Sequence, residues 1–149
     1  MKRFLIPAVL TAALLVPAQA AAKTKHYVGA VGPSGSISFN VVTKKKKKGK
    51  KGKKGKKTKP QVKGFSFSGI PVNCVDGPHT THGFVSFPVK LRGGNFNIVA
   101  SSSVTGATLD VHGNLAAGTI HVAGNVPIDP SGQGTSCDSG VLSWTAQRG

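Results

Sequence analysis

The chain has 149 residues and carries 20 lysines and arginines against 4 acidic residues, which gives a formal net charge of +16. So few carboxylates leave little material for general acid–base catalysis, and no glycine-rich phosphate-binding motif opens a helix. We therefore expect a protein without catalytic residues, without a cofactor and without a nucleotide site.

Residues 1–22 have the features of a secretory signal peptide. Lys2 and Arg3 form a positive start, residues 4–16 are apolar, and Ala18-Gln19-Ala20 is a cleavage site of the small-residue type. The apolar run is shorter than the roughly 20 residues that a membrane-spanning helix needs. We expect export, followed by secretion or association with the cell envelope, and no membrane-spanning segment after cleavage. An uncleaved N-terminal anchor is the alternative.

Residues 23–149 are expected to form a single all-β domain. Polar and apolar residues alternate in several short segments, which is the period of a strand with one buried face. Turn signals separate these segments, and no helical period follows the signal peptide. We predict an antiparallel β-sandwich or barrel of about 8–9 short strands, near residues 26–31, 36–43, 61–68, 70–74, 85–91, 96–100, 107–111, 115–123 and 141–146.

Most of the phenylalanines occupy inward positions in this pattern and are expected in the core. The alternation along residues 85–91 places Phe87 inward, whereas Phe84 falls off the inward parity and is expected at the surface. The parity also changes at Ser68 and Gly69, which predicts a bulge or a corner at that point.

Residues 44–59 are the most unusual segment, with the sequence KKKKKGKKGKKGKKTK. Lysines three and four residues apart repel each other on a helix, and each glycine costs roughly 1 kcal/mol relative to alanine. The segment has no large apolar side chain to bury, so folding would cost entropy without compensation. We expect residues 44–60 to be a long, flexible hairpin loop between two adjacent strands.

The positive charge is concentrated in this segment. It holds +12 of the +16, and Lys2 and Arg3 hold two more, so the rest of the chain sums to about +2. The predicted polyanion-binding residues are the twelve lysines Lys44, Lys45, Lys46, Lys47, Lys48, Lys50, Lys51, Lys53, Lys54, Lys56, Lys57 and Lys59.

Flexible ammonium groups attract phosphate, sulfate or carboxylate polymers without a fixed geometry. The expected partners are therefore anionic polymers or cell-envelope components, bound non-specifically. Sequence-specific nucleic-acid binding is not expected, because the segment contains neither arginine nor an aromatic residue. The alternative is that the segment is only a solvated loop.

The chain contains two cysteines, Cys74 and Cys137, which are expected to form a disulfide in an oxidising compartment. The two cysteines are 63 residues apart in the sequence. In the chain-entropy model, a disulfide that closes a loop of this length stabilises the fold by roughly 4 kcal/mol.

Four short motifs, at residues 35–39, 44–59, 65–74 and 137–144, resemble those of a class of small secreted bacterial β-domain proteins. These proteins combine a Lys/Gly-rich hairpin with a closing Cys-Asp-Ser-Gly strand. The resemblance implies an all-β fold and the Cys74–Cys137 bridge, and it implies no activity.

Two other functions are alternatives. Asp76, His79 and His82 lie within seven residues, and such ligand types suit zinc or copper in a metal-binding or enzymatic protein. A metal site needs further ligands, and a surface turn explains the motif equally, so no metal site is predicted. The aromatic residues, including Tyr27 and Trp144, raise the second alternative of a carbohydrate-binding or adhesive module.

Overall fold

The computed structural model describes residues 22–44, 59–130 and 132–149, and the predicted signal peptide lies outside them except for Ala22. The described residues form ten strands and contain no helix that is long and apolar enough to cross a membrane. The strands are β1 Lys23–Val31, β2 Gly35–Thr43, β3 Gln61–Cys74, β4 Gly77–Val85, β5 Val89–Lys90, β6 Asn95–Ser101, β7 Thr108–Asn114, β8 Ala117–Gly124, β9 Cys137–Asp138 and β10 Leu142–Arg148.

The sheet is antiparallel and closes into a barrel. Six strands form the closed part in the order β10-β1-β2-β3-β9-β8, and pairing of β10 with β8 completes it. β7 and β6 extend the sheet beyond β8, while β4 and β5 pair with the other edge of β3. The all-β prediction is confirmed, and the closure identifies the barrel as the architecture.

Two details of the predicted strands have different outcomes. The register of β3 against β4 shifts between Phe67 and Ile70, and Gly69 has a φ of 66°, so the predicted bulge is confirmed. The prediction that Phe87 points inward is wrong, because its side chain is 48 % exposed. The predicted single strand is interrupted between β4 and β5, next to Pro88, which has no N–H to continue a ladder.

An aromatic cluster fills the barrel. Phe39 is fully buried and lies 6.0 Å from Phe65, 5.5 Å from Phe96 and 6.1 Å from Trp144 between ring centroids. Tilted and edge-to-face pairs at such distances add to the stabilisation from burial. The indole N–H of Trp144 donates a hydrogen bond to the Thr119 carbonyl oxygen at 3.2 Å, so the ring is buried without an unsatisfied donor.

The disulfide lies at β9, where few residue pairs join the neighbouring strands of the barrel. Cys74 ends β3, Cys137 begins the two-residue β9, and the two cysteines are bonded as predicted. β9 pairs with β3 only through Asn73 and Asp138, and with β8 through two residue pairs. The covalent bond therefore supports a junction that few backbone hydrogen bonds hold.

Replacing both cysteines, in Cys74→Ala/Cys137→Ala, is expected to lower the free energy of unfolding by about 2–5 kcal/mol, as is usual when a native disulfide is removed from a small domain. Denaturant unfolding followed by Trp144 fluorescence measures this change. The wild-type protein in a reducing agent should show the same decrease. An unchanged midpoint in both samples would contradict the role given to the disulfide.

Candidate polyanion-binding site

The lysine segment starts and ends on adjacent antiparallel strands. Val42 in β2 pairs with Gln61 in β3, and Val41 pairs with Val62. Residues 44–60 therefore connect two neighbouring strands at one end of the barrel, which we name the loop pole. Lys44 and Lys59 are the predicted binding residues that the structure describes. The other ten, at positions 45–57, lie outside the described residues.

Further cations lie at the loop pole. Lys23 begins β1 opposite Thr43, the last residue of β2, and Lys90 in β5 lies opposite Gln61 at the start of β3. Arg92 lies two residues beyond the end of β5 and bridges to Asn95 across a tight turn. Lys25 and Lys63 are each the third residue of their strand, and they pair with Val41 and Asn40 in the second half of β2.

A groove of about 870 Å³ lies at the base of the lysine segment, and we name it the basal groove. Its lining includes Lys59, Lys90 and Arg92 together with Pro60 and Leu115. The Leu91 N–H donates to the Pro60 carbonyl oxygen at 3.0 Å, which holds the β5 segment against the start of β3. Two glycines with φ of 58° and 85° form the turn after Arg92. The fold thus places a guanidinium beside the lysines.

Sequence reasoning predicted the twelve lysines as binding residues and did not include Lys90 and Arg92, which line the basal groove with Lys59. They lie about thirty residues beyond the segment in sequence, and only the pairing of β5 with the first residues of β3 brings them to it. The sequence shows a turn signal at residues 92–95, Arg-Gly-Gly-Asn. It does not show that the strand before this turn pairs with β3.

Each of the four aspartates is close to a histidine, and Asp76, Asp129 and Asp138 lie toward the end of the barrel opposite the loop pole. Asp76 is in the turn after β3, Asp138 is in β9, and Asp110 is the third residue of β7. The Asp129 N–H donates a hydrogen bond to the carbonyl oxygen of Thr80, near the start of β4. The closest nitrogen–oxygen distances are 3.2 Å for Asp76–His79, 3.0 Å for Asp129–His82, 2.8 Å for Asp110–His112 and 2.9 Å for Asp138–His121.

This arrangement separates the charges of the described residues. Every carboxylate lies close to an imidazole, and three of the four lie toward the end opposite Lys90 and Arg92, whereas Asp110 lies within β7. At physiological salt the screening length is roughly 8 Å, which weakens the influence of exposed acids on cations farther away than that. The loop pole is therefore the positive end of the barrel.

The histidines of the metal-binding alternative lie in strand β4, whereas the sequence favoured only a surface turn here. His79 and His82 are three residues apart in a strand, so their side chains point to opposite faces of β4. His79 pairs with Asp76, whereas His82 pairs with Asp129. Asp76, His79 and His82 do not converge, and the described part of the chain contains no group of three or more potential ligands placed to hold a metal ion.

Comparison with known proteins finds no matching family model, no matching curated protein and no matching solved structure. The functional argument therefore depends on the geometry and charge of this chain.

Asp138 is the titratable group with the most distinct environment. Its Oδ1 accepts a hydrogen bond from the Gly140 N–H at 2.6 Å and contacts His121 Nε2 at 2.9 Å. These contacts favour the carboxylate, mainly through the backbone N–H, and hold the pKa of Asp138 below its ordinary value of 3.8.

Because the folded pKa lies below the unfolded one, Asp138 stabilises the fold above about pH 3.8 and this contribution disappears as the pH falls through the folded value. Asp138→Asn should therefore weaken the decrease in stability on acidification below that pH. Urea unfolding at a series of acidic pH values measures it. An identical acid dependence in wild type and variant would contradict the assignment, and an NMR titration of the Asp138 carboxyl carbon gives an independent value.

Proposed function

We propose that this protein is an exported, non-catalytic domain that binds polyanions or anionic cell-envelope components through its loop pole. The observation that supports the proposal most directly is the antiparallel pairing of β2 with β3. It brings both ends of a segment with twelve lysines to the end of the barrel where Lys23, Lys90 and Arg92 lie.

The chemistry of the pole favours non-specific electrostatic binding. Lysine ammonium groups are mobile point charges that follow an anionic polymer without requiring one spacing of its charges. The segment has no arginine fork and no aromatic ring, so it lacks the groups that read or stack on bases. Binding should depend steeply on salt, because each contact with a polymer charge releases a counterion.

Export is supported by two features of the chain. The Cys74–Cys137 disulfide is of the kind that persists in oxidising compartments. Residues 1–22 have the charge and cleavage pattern of a signal peptide. An exported domain with a cationic pole is suited to contact with anionic polymers outside the cytoplasm.

Replacing the twelve lysines of residues 44–59 by serine should leave the barrel folded and abolish retention on a heparin column at physiological salt. The segment lies in a connection and contributes no residue to the described core. On mixed-sequence duplex DNA as a probe, the salt slope of log K should become shallower by about 0.9 for each phosphate that the variant no longer neutralises.

The matched control keeps the twelve lysines and shuffles the order of residues in the segment. It should bind as the wild-type protein does, because the proposal gives no role to the order of the residues. Retention that survives the serine replacement, or that is insensitive to salt, would overturn the proposed function.

A further inference from the structure

A second groove, of about 770 Å³, lies next to the basal groove, and we name it the β6 groove. Residues of the β4–β5 connection and of β5 line one side, and β6 and β7 line the other. Lys90 and Arg92 line both grooves. A polymer held at the loop pole can therefore continue from the basal groove into the β6 groove without leaving the cations.

Phe87 gives the β6 groove an aromatic wall. The strand break at Pro88 takes this residue out of the inward pattern, and its ring is 48 % exposed. Phe96 also lines the groove but is only 4 % exposed, because it belongs to the aromatic cluster inside the barrel. Phe87 is therefore the aromatic ring of this groove that is free to contact the apolar face of a ligand.

The opposite wall carries neutral hydrogen-bonding groups. Asn97 in β6 pairs across the sheet with His112 in β7, and both are exposed on the outward face because Ile98 and Val111 beside them point into the core. Asp110 lies on the same face of β7 as His112, and its carboxylate oxygen is 2.8 Å from His112 Nε2. An amide both donates and accepts hydrogen bonds, so it complements a hydroxyl group in either role.

We propose that the β6 groove is a subsite for an acidic glycan, in which one sugar ring lies on Phe87, its hydroxyls bond to Asn97 and His112, and its carboxylate or sulfate meets Arg92 and Lys90. The inference rests on the proposed function and names the class of polyanion. A sugar ring has an apolar C–H face and a rim of hydroxyls, which matches one aromatic wall and one amide wall. The planar guanidinium of Arg92 suits a carboxylate or sulfate through two parallel hydrogen bonds.

A single-stranded nucleic acid fits these features less well. Binding without sequence preference uses several aromatic rings on which successive bases stack. The β6 groove has one accessible ring, and its other wall offers groups that suit hydroxyls. Nucleic acid is therefore an outcome of the test and not the proposed ligand.

The test compares the full lysine-bearing protein with its variants by calorimetric titration. The probes are an oligogalacturonate, a heparin oligosaccharide, a neutral galacto-oligosaccharide, inorganic polyphosphate and a single-stranded oligothymidylate. Phe87→Ala is expected to lower affinity for an acidic oligosaccharide about tenfold, because it removes the apolar wall, and Asn97→Ala several-fold, because it removes a hydrogen-bonding amide. Neither variant should change the affinity for polyphosphate.

Phe84→Ala is the matched control, because Phe84 is also an exposed phenylalanine, at 78 %, but does not line the β6 groove. It should bind every probe as the wild-type protein does. If Phe87→Ala and Asn97→Ala lower the affinity for the galacturonate alone, the ligand group is a carboxylate. If they lower the affinity for the heparin oligosaccharide alone, the ligand group is a sulfate. Either result supports the subsite.

Other outcomes overturn it. Equal effects of Phe87→Ala and Phe84→Ala, equal effects on acidic and neutral oligosaccharides, or a larger effect on the oligothymidylate would each exclude an acidic-glycan subsite. If the wild-type protein binds polyphosphate and the acidic oligosaccharides but the groove variants change nothing, the subsite fails and the proposed function stands. If the wild-type protein binds no polyanion, the proposed function fails.

Discussion

The antiparallel pairing of β2 with β3 is the constraint on which the functional account depends. Sixteen residues with twelve lysines have no apolar surface to bury and strong mutual repulsion, so they cannot add to the stability of the barrel. The β2–β3 register holds the two ends of this segment on neighbouring strands, whatever path the residues between them take. Stability must come from elsewhere: from the buried core, which includes the aromatic cluster around Phe39, and from the Cys74–Cys137 bond.

The barrel also decides what surrounds the segment. β5 pairs with the first residues of β3, and this short contact brings Lys90 and Arg92 to the same end as Lys59. Each aspartate lies close to a histidine, and three of the four lie toward the other end of the barrel. Outside residues 1–22 and 44–59 the net charge is only about +2. Because Lys90 and Arg92 lie beside Lys59, the positive potential of the lysine segment continues onto the folded surface.

Local sequence patterns predicted the fold class and most of the strands, because alternation and turn residues report directly on which face of a strand is buried. The disulfide was predictable because the chain has only two cysteines. The prediction for Phe87 failed because one proline between alternating residues interrupts the ladder. The separation of His79 and His82 follows from strand β4, which the sequence analysis did not predict because the Asp-Gly-Pro composition of the motif favours a turn. The pairing of β5 with β3, and with it the place of Lys90 and Arg92 in the site, depends on long-range topology that local patterns do not contain.

The central claim is that the position of the lysine segment in the fold matters, and not only its charge. Moving residues 44–59 to the connection between β6 and β7, between Ser103 and Val104 at the far end of the barrel, and joining β2 to β3 by a short uncharged turn keeps the net charge constant. The salt dependence of heparin binding by this relocated variant is the most direct test. The account predicts weaker binding and a shallower salt slope than in the wild-type protein, because Lys23, Lys90 and Arg92 no longer add to the site. Equal affinity and equal slope would contradict it.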